Sequence, residues 1–205
     1  MKRKIKTSNI INIIFCALIF IYMLVTLSSY VYLHYTAEKL PNPVPQEFLR
    51  IKLYGSSYHS TGNTVSGSFT LIDSNGYELA TIERSWSGSY IGIEFLDYDY
   101  KGKHYTFPSK VFGKNQIRQE KSESKAGSNL VRYYNINKQC KLFAQGYSNK
   151  DRKNFYRLSN YLAKEYPIFD FGQAKIISLD LSSCRTDRYY SIGTNGQGEI
   201  YITEI

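Results

Sequence analysis

The chain has 205 residues, with 26 Lys and Arg against 17 Asp and Glu, a formal net charge of +9 and 42% hydrophobic residues. That length accommodates one membrane segment plus one modest domain, or a single soluble domain, and excludes large multidomain catalytic architectures. The charge does not indicate a nucleic-acid binder, because it is unevenly placed: Lys2, Arg3, Lys4 and Lys6 precede the first apolar run, leaving 22 basic residues against all 17 acids from Thr36 onward.

Between Ile10 and Leu33 the chain reads IINIIFCALIFIYMLVTLSSYVYL, with no charge, Pro or Gly. A helix of that length spans about 36 Å, which exceeds a hydrocarbon core of about 30 Å. The basic cluster before the run, with Glu38 and Lys39 cancelling after it, places the N-terminus in the cytoplasm and the remainder outside. Tyr30, Tyr32 and Tyr35 fall at the far end, where amphipathic rings favour the headgroup region. A cleaved signal peptide is the competing reading; the run is too long for one and ends on bulky residues that offer no cleavage site.

Three of the five prolines, Pro41, Pro43 and Pro45, follow and favour extended backbone. The sequence therefore divides into a cytoplasmic basic stub (1–9), a transmembrane signal-anchor helix (10–33), a proline-rich juxtamembrane spacer (34–47) and an extracytoplasmic domain (48–205). From Phe48 to Gly113, short β-branched and aromatic runs alternate with turn residues, the pattern of an antiparallel meander of four or five strands. Ser74-Asn75-Gly76 marks the clearest hairpin, with Asn-Gly suited to a type I′ turn. Turns are also expected at Ser87-Gly88-Ser89 and Lys101-Gly102-Lys103. Ile91, Ile93 and Phe95 share one face of a strand, and the core side is expected to end near Phe95.

Residues 114–127 carry many charges and read as a flexible loop. Strands are expected at 130–135 and 140–144. Ser148-Asn149-Lys150-Asp151 has the spacing of a helix capping box, followed by Phe155, Leu158, Leu162 and Tyr166 at helical intervals and a stop at Pro167. A strand over 175–182 and a final hairpin around 194–198 close the chain. The expected fold is an N-terminal transmembrane helix plus a β-rich α+β exported domain, an antiparallel meander with one packed helix in its C-terminal half.

Chemistry is sparse. Cys140 and Cys184 are the cysteines outside the apolar run; a disulfide between them would stabilise by roughly 4 kcal/mol, and two separate thiols are the alternative. The three histidines are isolated, so no metal or other cofactor is expected. Asp97-Tyr98-Asp99 fails the spacing of a calcium loop and reads as a hairpin end with solvated carboxylates. Gly193 to Gly198 lacks the order of a phosphate-binding loop. Trp86, Tyr90, Tyr98, Tyr100 and Tyr105 form the densest aromatic stretch and are the candidate binding surface for a glycan or another envelope protein, against the plain alternative of β propensity.

The functional expectation is a single-pass bacterial envelope protein whose extracytoplasmic domain binds rather than catalyses, with the bilayer as partner through residues 10–33 and no nucleic acid. One alternative is a carbohydrate-active hydrolase using Glu83, Glu94, Asp97 or Asp99. The other is a structural spacer within a membrane complex.

Overall fold

A computed structural model describes residues 7–59, 62–115, 127–144, 146–164 and 174–205. Lys2, Arg3, Lys4, Lys6, Tyr166, Pro167 and most of the expected loop at 114–127 lie outside the described residues. Helix α1 (Thr7–Glu38) is apolar, uncharged until its last residue and long enough to cross a membrane. Large side chains from Ile11 to Leu27 stand 44–65% exposed, so none of the described residues covers them.

The end of α1 behaves differently. Leu33, Ala37 and Leu40 are buried in the same core as the sheets. His34 meets Tyr100 edge-on with ring centroids 4.8 Å apart, and the Tyr105 hydroxyl donates to the Pro41 carbonyl at 3.2 Å. The expected spacer at 34–47 is therefore corrected: no helix breaker occurs before Pro41, so the helix continues past Leu33 and its last turn docks on the domain. Leu40 N donates to Ala37 O and closes that turn.

The strands form two main sheets rather than one meander. Strands β1 (Gln46–His59), β2 (Gly62–Ile72) and β3 (Glu78–Ser87) join β10 (Tyr189–Thr194) and β11 (Ile200–Glu204) in the order β11-β10-β1-β2-β3. The chain then turns at Ser87-Gly88-Ser89 into a second sheet, β6-β5-β4-β9, built from β4 (Tyr90–Tyr100), β5 (Lys103–Lys114), β6 (Ser128–Asn129) and β9 (Ala174–Asp180). All pairings are antiparallel.

The β2–β3 hairpin occurs where expected, with a different turn. Asp73 N donates to Tyr77 O and Gly76 N to Asp73 O, and Gly76 alone of the three loop residues has positive φ (+82°). This is the three-residue loop of a type I turn followed by a left-handed residue. The Asp73 carboxylate fixes it by accepting from the amides of Asn75 and Tyr77. The type I′ geometry belongs instead to Lys101 (φ 52°) and Gly102 (φ 78°) between β4 and β5.

The expected strand at 130–135 is also corrected. Val131–Tyr134 is a single helical turn, α2, because Leu130, Val131 and Tyr134 are the residues that reach the core, a helical spacing. The Tyr134 hydroxyl donates to Pro108 O, and burial raises its pKa well above the ordinary tyrosine value. A two-residue ladder, β7 (Asn135–Ile136) with β8 (Gln139–Cys140), replaces the second expected strand. Helix α3 (Asn149–Leu162) starts as read, with Ser148 and Asp151 forming both halves of the capping box.

Strand β4 lies between β5 and β9 and is buried on both faces. Ile91, Ile93 and Phe95 face the first sheet, while Leu96, Tyr98 and Tyr100 share the face covered by α3 and the end of α1. There Phe143 stacks on Phe155 with centroids 3.9 Å apart, and Tyr105 and Phe107 meet Phe155 edge-on. One layer of helix, one double-covered sheet and one outer sheet make up the architecture.

Candidate functional site

The proposed aromatic surface does not form. Trp86 is buried, packs edge-on against Phe69 and donates its indole N–H to Ser128 Oγ at 3.2 Å. Tyr98, Tyr100 and Tyr105 are buried between the second sheet and the helices, and Tyr90 is half-buried beside Lys114. Among the described residues of the β domain the exposed tyrosines are others: Tyr54, Tyr58, Tyr77, Tyr189 and Tyr201. Lys52 stands over the rings of both Tyr54 and Tyr189, a juxtaposition created by the Lys52–Tyr189 pairing of β1 with β10. That pairing is 137 residues apart in sequence, so no local signal could have revealed it.

Nor are Cys140 and Cys184 bonded. Both are free thiols, Cys140 fully buried beside the aromatic core and Cys184 half-buried near the first sheet. Burial pushes both thiols up from the ordinary range, so neither is an activated nucleophile.

What the fold does assemble is a cleft between the two sheets. Its volume is about 410 Å³, and its walls come from Asp97 on β4, His104 on β5, Lys175, Ile177 and Leu179 on β9, and residues 197–200 of the β10–β11 turn. Antiparallel register explains the convergence: Asp97 pairs with Thr106 on one side and Lys175 on the other, with His104 one pleat along. The reading of Asp97 as a solvated carboxylate is thereby corrected, because its side chain is only 1% exposed.

A buried carboxylate needs partners to remain charged. Asp97 has three: the Thr106 hydroxyl donates to Oδ1 at 2.9 Å, His104 Nδ1 lies 3.1 Å and Lys175 Nζ 3.4 Å from Oδ2. An ionised carboxylate accepts only, so Nδ1 carries the proton and Nε2 is the ring nitrogen that the carboxylate leaves unengaged. The β10–β11 turn closes the cleft from above. It repeats the Asp73 arrangement, with Asn195 Oδ1 accepting from the amides of Gln197 and Glu199. Gly198 (φ +80°) rests directly on His104, where any side chain would collide.

Of the four carboxylates considered for hydrolysis, Asp97 alone lines this cleft. Asp99 instead accepts from the Gly102 amide, and Glu83 interacts with the Tyr54 hydroxyl on the first sheet. The His–Asp pair has the orientation of a general base, but the Thr106 hydroxyl beside it is donated to Asp97. With an oriented imidazole, an exposed ammonium and an apolar wall of Ile177, Leu179 and Ile200, the cleft can hold a small molecule that carries both a polar head and an apolar body. Among the described residues, no group of three or more His, Cys, Asp and Glu side chains could hold a metal ion. Comparison with protein-family models, curated proteins and solved structures finds no match for this chain.

Proposed function

We propose that the protein is a single-pass, membrane-anchored binding protein of the bacterial envelope, with its N-terminus in the cytoplasm and its β domain outside, and that the Asp97–His104–Lys175 cleft is its ligand site. The observation that carries the anchor is the uncovered apolar surface of α1: an eighteen-residue stretch of it has a mean hydropathy of 2.4 and none of that stretch is buried. Such a surface is far larger than a soluble protein leaves in water. Orientation follows from Lys2, Arg3, Lys4 and Lys6. Protease added to spheroplasts is expected to degrade the domain while leaving the N-terminal segment; a protected C-terminus would refute this topology.

The binding role is supported by the groups in the cleft, which position and neutralise rather than attack. Small carboxylates and amines screened against the full-length protein by NMR are expected to perturb Ile177, Leu179 and Ile200, with the effect lost in His104→Ala. Perturbations that persist in that variant would move the ligand site elsewhere.

A further inference from the structure

Helix α3 presents two faces of opposite character. Phe155, Leu158 and Leu162 enter the core. Lys150, Lys153 and Arg157 are exposed and follow one another at intervals of three and four residues, and Lys164 is exposed just past the end of the helix. At 100° per residue the three helical cations occupy about 60° of the circumference, on the side away from the core. The helix carries one acid, Asp151, which the capping box already engages. Among the described residues, no ion pair links any of the four to a carboxylate.

This basic stripe lies beside a second unpartnered feature. Leu24, Leu27, Ser28, Val31, Tyr32 and Tyr35 line a shallow groove of about 510 Å³ along α1. The spacing of these residues places them on one helical face, and eleven residues of helix measure about 16 Å, the depth of one leaflet of a hydrocarbon core about 30 Å thick. The groove ends at α3, where Tyr32 and Tyr161 rings meet with centroids 5.5 Å apart. Cations gather at that end: Lys39 Nζ lies 3.4 Å from the Tyr35 ring centroid, Lys164 Nζ 5.2 Å from that of Tyr161, and Lys150 and Arg157 act electrostatically on the Tyr35 hydroxyl.

An apolar groove one leaflet deep, crowned by cations that form no ion pair among the described residues, matches one ligand chemistry. We infer that the α1–α3 junction binds an anionic phospholipid, its acyl chain lying along Leu24 to Val31 and its phosphate against Lys39 and the basic stripe of α3. The inference rests on α1 spanning the bilayer. A zwitterionic lipid fits the groove equally well but brings its own cation to the phosphate, so net negative charge is the feature selected. Binding through the stripe also holds the domain against the outer leaflet.

The test uses the full-length protein in detergent micelles, titrated with dioleoyl phosphatidylglycerol or dioleoyl phosphatidylcholine, with bound lipids counted by native mass spectrometry. Phosphatidylglycerol is expected to bind at much lower concentration. The variant K150Q/K153Q/R157Q/K164Q is expected to lose that preference by roughly fivefold per residue replaced. The matched variant K101Q/K138Q/R185Q/R188Q, which removes the same charge elsewhere, is expected to keep it. Equal binding of the two lipids by the native chain, or an equal loss in both variants, overturns the inference. Extraction of the chain from membranes by alkaline carbonate would sink the anchor reading instead; retention without lipid preference sinks only the lipid site.

Discussion

The two sheets are made from similar residues, yet their inner strands are covered differently. From Val65 to Leu71, strand β2 of the first sheet alternates between buried and half-exposed positions, and its partner β1 turns Lys52 and Tyr54 to solvent. Strand β4 of the second sheet has eight of its eleven residues buried, because the first sheet covers one face and α1 and α3 cover the other. A tyrosine is thus a surface group on β1 and a core group on β4. Composition alone does not separate these fates; the covering layer does.

That contrast can be broken most sharply at α3. Phe155→Ala removes the ring that joins Phe143, Tyr105, Phe107 and Tyr147 over the second sheet, and is expected to cost about 3–5 kcal/mol in chemical denaturation. A cost near zero would mean that the helix does not cover the sheet. Asp97→Ala, at the open end of the interlayer, leaves Thr106 and Lys175 without their acceptor and is expected to destabilise by about 1–3 kcal/mol. Asp97→Asn is expected to cost less, since an amide oxygen still accepts from Thr106.

Tyr105→Phe deletes the bond to Pro41 and is expected to cost about 1 kcal/mol. Its pH dependence is more diagnostic. Burial pushes Tyr105 up to about 12, above the unfolded value of 10.0, so its contribution is complete below pH 10 and falls away as pH rises through 12. Alkaline unfolding curves are therefore expected to be shallower in Tyr105→Phe; unchanged curves would place this tyrosine in solvent. The smallest effect belongs to the first sheet's outer face, where Tyr189→Ala is expected to change stability by no more than about 0.5 kcal/mol. A loss comparable to that of Phe155→Ala would erase the distinction between the sheets.

The sequence was informative where structure is local. The β2–β3 and β10–β11 hairpins, strand β9 and the Ser148–Asp151 start of α3 all follow from residues within a few positions of one another. The passage into a second sheet at Gly88 was not legible, since a turn looks the same whether the next strand continues the sheet or leaves it. Double burial of β4 was hidden for a related reason: a strand covered on both faces loses the alternation by which an inward side is recognised. The cleft was missed in part. Asp97 is a candidate carboxylate in the sequence, but its meeting with His104 and Lys175 depends on β9 returning to pair Lys175 with Asp97, 78 residues later. No periodicity reports that event. The docked end of α1 is not legible because the apolar run stops at Leu33, whereas the helix continues to Glu38.

That docking has a mechanical consequence. Leu33, Ala37 and Leu40 key the helix into the core, leaving no joint between rod and head. With α1 in a bilayer, as proposed, any change in tilt imposed by membrane thickness must turn the whole domain through the same angle. The mouth of the Asp97 cleft would then swing toward or away from the lipid surface, and the protein would work as a lever whose short arm lies in the membrane.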